Sequence, residues 1–233
     1  MAPPATAVER KSVPVPAYLS QTYWWAYVHP RAVRVFERQW LVNLILWGNF
    51  GRLRDAAIEA LGELSGRTLQ IACVYGNLTE RLAGRLPPDG TLDVVDVLPI
   101  QLANLREKLP HQSPVGLIRG DSTALDFASG SYDRALLFFL LHEQPEAARR
   151  ATIREALRVV KPGGEVVIVD YHRPKLTNPL YLPMVGILST LEPFAMDLWR
   201  RPIESWFPAD RQPASVQKHT AFGGLYQIVR IKV

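Results

Sequence analysis

Residues 68–77, TLQIACVYGN, carry the clearest structural signal in the sequence. Its first half is an apolar run too short for a helix, which predicts a buried strand. Gly76 then permits a tight turn. Asn77 is predicted to cap the helix that follows, and Glu80 stands where the glutamate of a capping box reaches back to the cap. The stretch therefore predicts a strand that passes through a glycine turn into a helix.

A second apolar strand follows this turn and ends close to an acid. The sequence LDVVDV, residues 92–97, carries Asp96 near its carboxyl end. α/β sheets hold a nucleoside with such a unit of strand, turn, helix and strand, because the terminal carboxylate accepts hydrogen bonds from both ribose hydroxyls. A βαβ unit that has a glycine and an aspartate by chance is the alternative.

The loop between the strand and the helix narrows the choice of nucleotide. A dinucleotide fingerprint needs three glycines, so that the backbone can approach a pyrophosphate. Here the one glycine is Gly76, and side chains fill the positions before it: Ala72, Cys73, Val74 and Tyr75. These side chains would crowd a pyrophosphate but would tolerate a cofactor without one. The loop therefore favours S-adenosylmethionine (SAM) over NAD.

Composition indicates one globular α/β domain with appendages, since 48% of the 233 residues are hydrophobic and 21% are charged. The single cysteine, Cys73, excludes an internal disulfide, which fits a reducing cytosol. We expect Cys73 to be a small packed hydrophobe, with a reactive thiol as the alternative. The net charge of +5 is compatible with nucleic acid or an anionic membrane, but the cations are scattered, which favours a solvated surface. Neither a signal peptide nor a membrane-spanning segment is expected.

Three regions are predicted along the chain. Residues 1–17 are rich in Pro and Ala, which predicts a flexible tail. Residues 18–64 are predicted to form a helical segment that is either a lid or a membrane contact. Residues 65–233 are predicted to form the SAM-binding domain, with a helical insert at 178–207.

The helical segment has one long predicted helix, from Pro30 to about Trp47, with Gly48 as its stop. Its apolar residues form one stripe at helical spacing. The stripe consists of Phe36, Trp40, Leu44 and Trp47. Packing against the sheet is one interpretation of this stripe. A lid or an interfacial helix that admits a lipophilic substrate is the other, because Trp favours the membrane boundary.

The domain alternates strands and helices and closes with a hairpin, which predicts a Rossmann-like, mainly parallel seven-stranded sheet with a C-terminal antiparallel hairpin. Asp121 and Ser122 end the third strand, and His142 and Glu143 follow the fourth. The predicted elements after Asp96 are a helix at 99–109, strands at 115–122 and 133–141, a helix at 146–160, a strand at 165–171, and hairpin strands at 216–222 and 225–233.

The order of these elements resembles class I SAM-dependent methyltransferases from about residue 66 to residue 233. The strongest motif is LRVVKPGG, residues 157–164, directly before a strand. The resemblance implies that the 72–76 turn backs the methionine part of SAM, that Asp96 binds the ribose, and that Asp121 with Ser122 faces the adenine. Asn77 and Val97 complete the set of residues expected to bind the cofactor.

A narrower resemblance covers almost the whole chain. Five motifs look like the rhodoquinone-biosynthesis protein family of purple bacteria: YWWAY (23–27), ACVYG (72–76), VVDVLPIQL (94–102), FFLLHE (138–143) and VDYHRP (169–174). The resemblance implies a SAM-dependent transferase that replaces a ring methoxy group of ubiquinone by an amino group. SAM would be the amino donor, and Mn²⁺ would be required. The expected location is cytoplasmic, peripheral to the inner membrane.

The ends of strands four and five carry side chains that suit metal chemistry. His142, Glu143, Asp170 and His172 are predicted to converge there, and a carboxylate–imidazole set suits Mn²⁺. A metal bound to a quinone carbonyl would make the ring more electrophilic. Tyr75 or His142 is the candidate base for the SAM amine, and Asp170 joins them as a candidate catalytic residue. Ordinary structural roles for these side chains are the alternatives, such as a histidine that bonds a loop carbonyl.

Other functions stay open at this point. The second hypothesis is a conventional SAM-dependent methyltransferase that acts on a quinone or another lipophilic small molecule. A protein that acts on RNA is suggested by charge alone, and no nucleic-acid partner is expected. A non-catalytic SAM-binding protein is also compatible with the loop. Because a lipid-soluble quinone resides in the bilayer, we expect contact with a membrane through Trp40, Trp47, the 179–191 segment and surface arginines.

Overall fold

A computed structural model describes residues 13–233, so the first twelve residues of the predicted tail lie outside the described part. Within that part, seven strands form one sheet. They are β1 (Arg67–Ile71), β2 (Thr91–Asp96), β3 (Val115–Arg119), β4 (Tyr132–Phe138), β5 (Val160–Tyr171), β6 (Ser215–Ala221) and β7 (Tyr226–Lys232).

The strand order in the sheet is β3-β2-β1-β4-β5-β7-β6. β1 to β5 pair in parallel, and β7 pairs antiparallel with both β5 and β6. The predicted fold, a mainly parallel sheet that ends in an antiparallel hairpin, is therefore confirmed. The strand order reverses between β1 and β4, and in such sheets ligands bind outside the carboxyl ends of the strands at this switch point.

Nine α-helices occur in residues 13–233. They are α1 (Ala17–Thr22), α2 (Pro30–Phe36), α3 (Gln39–Ile45), α4 (Phe50–Leu61), α5 (Leu78–Ala83), α6 (Pro99–Lys108), α7 (Glu146–Val159), α8 (Tyr181–Leu191) and α9 (Met196–Arg200). A π-helical turn spans Trp24–Val28, and 3₁₀ turns span Leu141–Glu143 and Ile203–Trp206. None of the helices in the described range combines the length and the hydropathy that a membrane span needs.

The predicted long helix from Pro30 to Trp47 is wrong. The chain breaks at Glu37 and Arg38, between α2 and α3. The reason is tertiary, because the Glu37 carboxylate accepts hydrogen bonds from the Asn104 amide at 2.6 Å, from Lys108 at 2.7 Å and from the Gly76 N–H at 3.1 Å. These charge-assisted bonds outweigh the cost of ending a helix. The apolar stripe is consequently split between two helices.

The start of α5 confirms the cap position but not the capping bond. Asn77 is the residue before the helix, yet its side chain makes no bond to the helix. Its Oδ1 accepts instead from Arg54, at 2.7 Å, and from Gln39, at 3.4 Å. A hydrogen bond from a guanidinium is stronger than one from a neutral backbone N–H, which explains why the Asn77 side chain binds Arg54 and does not cap the helix.

The core is centred on β4 and β5, whose residues Leu136, Leu137, Val167 and Val169 are fully buried. Burying each such side chain contributes roughly 1.5–3 kcal/mol. β5 begins earlier than predicted, because Val160 pairs with Tyr132 and the register then shifts. The KPGG motif therefore lies inside the strand and not in a loop before it.

Candidate active site

A cavity of about 650 Å³ lies at the carboxyl ends of the parallel strands. Residues of α1, α2, α3 and α8 cover it, so the N-terminal segment and the insert both contribute walls. The polar side chains and loop residues at the strand ends form its floor. They are Ala72, Cys73, Val74, Tyr75, Asp96, Val97, Asp121, Ser122, His142 and Glu143.

Three non-glycine residues that line this cavity have left-handed backbone conformations. Ala72, after β1, has φ +73°, Phe139, after β4, has φ +54°, and Trp47, after α3, has φ +52°. Such residues cost roughly 1–3 kcal/mol each and cluster at functional sites. Ala72 occupies the start of the loop, where a nucleotide-binding fold commonly has glycine. The strain therefore coincides with the place where sequence analysis put the cofactor.

Asp96 borders the cavity with a carboxylate that the loop holds in place. Its Oδ2 accepts from the Cys73 N–H at 2.7 Å, and its Oδ1 accepts from the Leu98 N–H at 2.8 Å. Burial raises the pKa of Asp96 to about 6, although these backbone N–H groups lower it. The carboxylate is therefore ionised at neutral pH. The Cys73 thiol and the Val97 N–H also interact with this carboxylate, so the loop surrounds it with donors on the protein side.

Asp121 and Ser122 also line the cavity, but their side chains already have protein partners. Asp121 Oδ1 accepts from the N–H and the hydroxyl of Thr123, both at 2.8 Å. Ser122 Oγ lies 2.9 Å from Thr152 Oγ1 and 3.1 Å from Gln144 Nε2. Both residues are thus fixed at the end of β3 where the adenine was expected.

Gly76 and Asn77 do not line the cavity, unlike the rest of the predicted cofactor-binding set. Gly76 has φ +82°, and a Cβ added to it would lie 2.6 Å from Cζ of Phe50. A glycine is therefore required at position 76, both by the left-handed backbone and by the Phe50 ring that lies against it. Asn77 is engaged by Arg54, as described above.

Tyr75 lines the cavity, but its hydroxyl is not available as a base. It donates to the carbonyl of Ala26 at 2.7 Å and accepts from the amide of Gln101 at 2.9 Å. Its ring stacks between those of Tyr27 and Phe36. Burial raises the pKa of Tyr75, so the phenol stays protonated. Tyr75 therefore connects the cofactor loop to the N-terminal segment and does not act as the predicted base.

His142 and Asp170 form a buried pair at the ends of β4 and β5. His142 Nδ1 lies 2.9 Å from Asp170 Oδ1, and the imidazole borders the cavity. Asp170 is fully buried and does not line the cavity. Burial would lower the pKa of His142, but the Asp170 carboxylate overrides this and raises it to about 9. Asp170 therefore orients His142 from behind and does not itself face a ligand.

Two further carboxyls face the cavity beside His142. Glu143 Oε1 accepts a hydrogen bond from the Tyr27 hydroxyl and lies 3.8 Å from His142 Nε2. Burial raises the pKa of Glu143 to about 8, although His142 lowers it. Burial likewise raises the pKa of Glu192, which lies just after α8. No local sequence pattern marks Glu192 or Tyr27 as a site residue, because only the fold brings these distant segments to the strand ends.

Of the four predicted metal ligands, His142, Glu143 and Asp170 lie close together, whereas His172 lies apart. His172 does not border the cavity, and its Nδ1 lies 2.8 Å from the carbonyl of Gly224. Asp170 has both oxygens occupied by the N–H groups of Leu141, His142 and Tyr171 and by the imidazole. Across residues 13–233 no group of three or more His, Cys, Asp or Glu side chains has the arrangement of a metal site. The residues therefore do not fit the expected Mn²⁺.

Known proteins support the methyltransferase interpretation of this geometry. Residues 68–164 match the family model described as "Methyltransferase domain". A demethylmenaquinone methyltransferase of Renibacterium salmoninarum is 32% identical over 57% of this chain and 53% of its own length. The ubiquinone/menaquinone biosynthesis C-methyltransferase UbiE of Pseudomonas putida is 30% identical over 64% of this chain and 63% of its own length. The chain thus spans between half and two thirds of the length of these relatives.

A solved structure shows the same architecture. An O-methyltransferase family protein from Burkholderia thailandensis superposes with a TM-score of 0.66 at 18% identity, over 87% of this chain and 59% of its own. At this identity the likeness concerns the fold. The chain thus has the Rossmann-like methyltransferase fold, and its residues 68–164 are similar to the methyltransferase domain of that family model.

Proposed function

We propose that the protein transfers the methyl group of SAM to a ring carbon of a reduced, lipophilic quinone. The observation that carries the proposal is one cavity that joins the Asp96 loop to the His142–Asp170 pair under an apolar roof. Two relatives of the same domain are named for methylation of menaquinone or ubiquinone precursors, which supports the substrate class.

The Asp96 side of the cavity suits the nucleoside of SAM. The ionised carboxylate borders the cavity, where it can accept from ribose hydroxyls, and its position is fixed by two backbone N–H groups. Asp121 and Ser122 stand at the end of the next strand, where the adenine would lie. Val97 supplies an apolar wall between them. When bound, SAM supplies an electrophilic methyl group on a sulfonium.

The other side suits an aromatic ring with hydroxyl groups. His142 and Glu143 face the cavity there, and apolar side chains of α3 and α8 extend it. A hydroquinone hydroxyl must lose its proton before its ring becomes a strong carbon nucleophile. A base with a pKa near that of the proton it takes is efficient, and the raised pKa values of His142 and Glu143 approach that of a phenol.

The reaction balances with these groups. The hydroxyl proton of the quinol passes to the His142–Glu143 pair, a bond forms between the ring carbon and the methyl carbon, and the bond between methyl carbon and sulfur breaks. S-adenosylhomocysteine leaves as a neutral thioether. The ring carbon then loses its hydrogen as a proton to solvent while the carbonyl oxygen regains a proton from the His142–Glu143 pair, which restores the aromatic quinol and the free base. The net products are the methylated quinol, S-adenosylhomocysteine and one proton.

The amino transfer expected from the motif resemblance is the competing reaction at the same cavity. The amino transfer has less support, because the names of the two relatives above describe methyl transfer. It also invokes Mn²⁺, and the donor set at the strand ends does not fit that ion. The conventional methyltransferase, which was the second hypothesis, is therefore the better proposal.

The test is incubation of the full chain with methyl-deuterated SAM and a short-chain quinol that lacks one ring methyl group. We expect a product that carries the deuterated methyl group and an equal amount of S-adenosylhomocysteine, as measured by mass spectrometry. His142→Gln should lose turnover while it retains SAM binding. A wild-type protein that binds SAM but transfers no label to the quinol would overturn the proposal.

A further inference from the structure

The helices α3 and α8 expose an apolar surface next to each other. We define the α3/α8 face by Trp40, Leu44, Leu182, Ile187 and Leu191, which are 61%, 63%, 76%, 37% and 50% exposed. α3 buries none of its residues, although it contains no charged side chain. An exposed apolar patch of this kind marks an interaction site, because a helix normally turns its apolar residues inward.

This face is continuous with the wall of the cavity. Leu44, Ile187 and Leu191 border the cavity as well as the surface. The two segments also meet where the indole N–H of Trp47, two residues after α3, donates to the sulfur of Met184 in α8 at 3.2 Å. An apolar molecule that leaves the α3/α8 face would therefore enter the cavity without crossing a polar rim.

The two segments that carry the face contain cations but no acids. Neither residues 38–54 nor residues 172–191 contain an acidic side chain. Four exposed cations flank the two helices, namely Arg38, Arg52, Arg173 and Lys175. Cations beside an exposed apolar helix complement the negative surface of a bilayer that contains anionic lipid. A second copy of this chain would bring the same cations face to face, which disfavours self-association through this surface.

We propose that the α3/α8 face docks onto an anionic lipid bilayer and that the lipophilic substrate enters the cavity directly from the membrane. The docking surface stands on exposure and charge, whereas the nature of the substrate rests on the proposed function. Trp40 and Leu182 insert into the headgroup boundary, and the cations bind the anionic lipid. Leu188, on the other face of α8, is fully buried and lines the cavity, so it is not a membrane contact.

The test uses the full chain and two kinds of vesicle, one of phosphatidylglycerol with phosphatidylcholine and one of phosphatidylcholine alone. We expect sedimentation with the first and much weaker binding to the second. Trp40→Ser with Leu182→Ser removes apolar area at two exposed residues that do not line the cavity. Arg38→Glu with Lys175→Glu reverses two charges and should weaken binding by at least roughly 20-fold.

The matched control is Arg81→Glu with Arg85→Glu, which makes the same charge change at exposed residues of α5 and the loop after it. This control should bind the vesicles nearly as well as the wild type. Equal binding by the Arg38/Lys175 variant and this control would overturn the proposal. A wild-type dimer that the Trp40/Leu182 variant dissociates, as measured by sedimentation, would also overturn it in favour of a second copy.

Activity separates this proposal from the proposed function. The Trp40/Leu182 variant should methylate a short-chain, water-soluble quinol at the wild-type rate but lose activity on a long-chain quinol held in vesicles. Equal activity of the wild type and the variant on the long-chain quinol would overturn entry from the membrane. A wild type that binds vesicles but methylates neither quinol would refute the proposed function and still support the docking surface.

Discussion

Asp170→Asn removes the carboxylate that holds the imidazole of His142. Asp170 accepts hydrogen bonds from three backbone N–H groups and from the His142 ring, and it is fully buried. Whichever way the Asn amide turns, its NH₂ group faces two of these donors, because both oxygens of Asp170 are in use. Removing one partner of such a buried pair costs about 3–5 kcal/mol of unfolding free energy.

The substitution should also change how stability depends on pH. The folded protein keeps the His142 proton up to a pH of about 9, whereas the unfolded chain loses it near 6.5. Between these values the folded state binds more protons, so the contribution of His142 to stability is full below 6.5 and is lost as the pH rises to about 9. The loss amounts to about 3 kcal/mol. Glu143, whose pKa is also raised, adds a loss of the same sign that is complete by a pH of about 8.

Without Asp170, burial dominates and lowers the pKa of His142 below its ordinary value. Urea unfolding followed by tryptophan fluorescence should then show a flat stability between about pH 8 and pH 9, where the wild type still loses stability. Asp133→Asn is the matched control. Lys161 lowers the pKa of Asp133, so this substitution changes the pH dependence of stability only at acid pH and should leave the slope between about pH 8 and pH 9 unchanged. An Asp170→Asn variant with the wild-type slope in this window would refute the reasoning.

Three further predictions concern SAM binding, pH and the loop. Asp96→Asn should weaken SAM binding roughly 100-fold, as measured by calorimetry, because two hydrogen bonds to an ionised carboxylate are lost. The control variant Asp93→Asn, on the same strand, should bind SAM as tightly as the wild type. The kcat/KM for quinol should rise about tenfold per pH unit and level off near pH 9, since the His142–Glu143 pair must be deprotonated to act as the base. A kcat/KM that stays flat from about pH 6 upward would contradict this prediction. Gly76→Ala should destabilise by roughly 2–3 kcal/mol in thermal unfolding, because its Cβ meets Phe50 at a positive φ. Gly186→Ala is the control and should not destabilise the protein, because a Cβ added at Gly186 has no atom within 4 Å.

The sequence was informative where neighbouring residues decide the structure. The strand, Gly76 turn, α5 and β2 follow from apolar runs, a glycine and helix signals within about thirty residues. The same local patterns located Asp96 and His142 at strand ends, and the structure places both at one cavity. Parallel strands present their carboxyl ends at one edge, so strand order alone brings such residues together.

The sequence failed where distant segments compete for the same groups. The helix break at Glu37 depends on Lys108 and Asn104, which no local pattern connects to it. Tyr75 looked like a free phenol, yet its hydroxyl is bound by the carbonyl of Ala26. The expected metal site failed for the same reason, because the donors that spacing brought near each other already had protein partners.

In the proposed reaction, one cavity holds SAM beside a quinol ring whose proton passes to the His142–Glu143 pair. The most direct measurement gives the wild type SAM that carries both a deuterated methyl group and a ¹⁵N-labelled amine. Ubiquinone and a reduced quinone that lacks one ring methyl group are offered together, and the products are identified by mass spectrometry. We predict that the deuterated methyl group appears on the reduced quinone and that ¹⁵N stays with S-adenosylhomocysteine. ¹⁵N on the ubiquinone ring in place of a methoxy group would contradict the account.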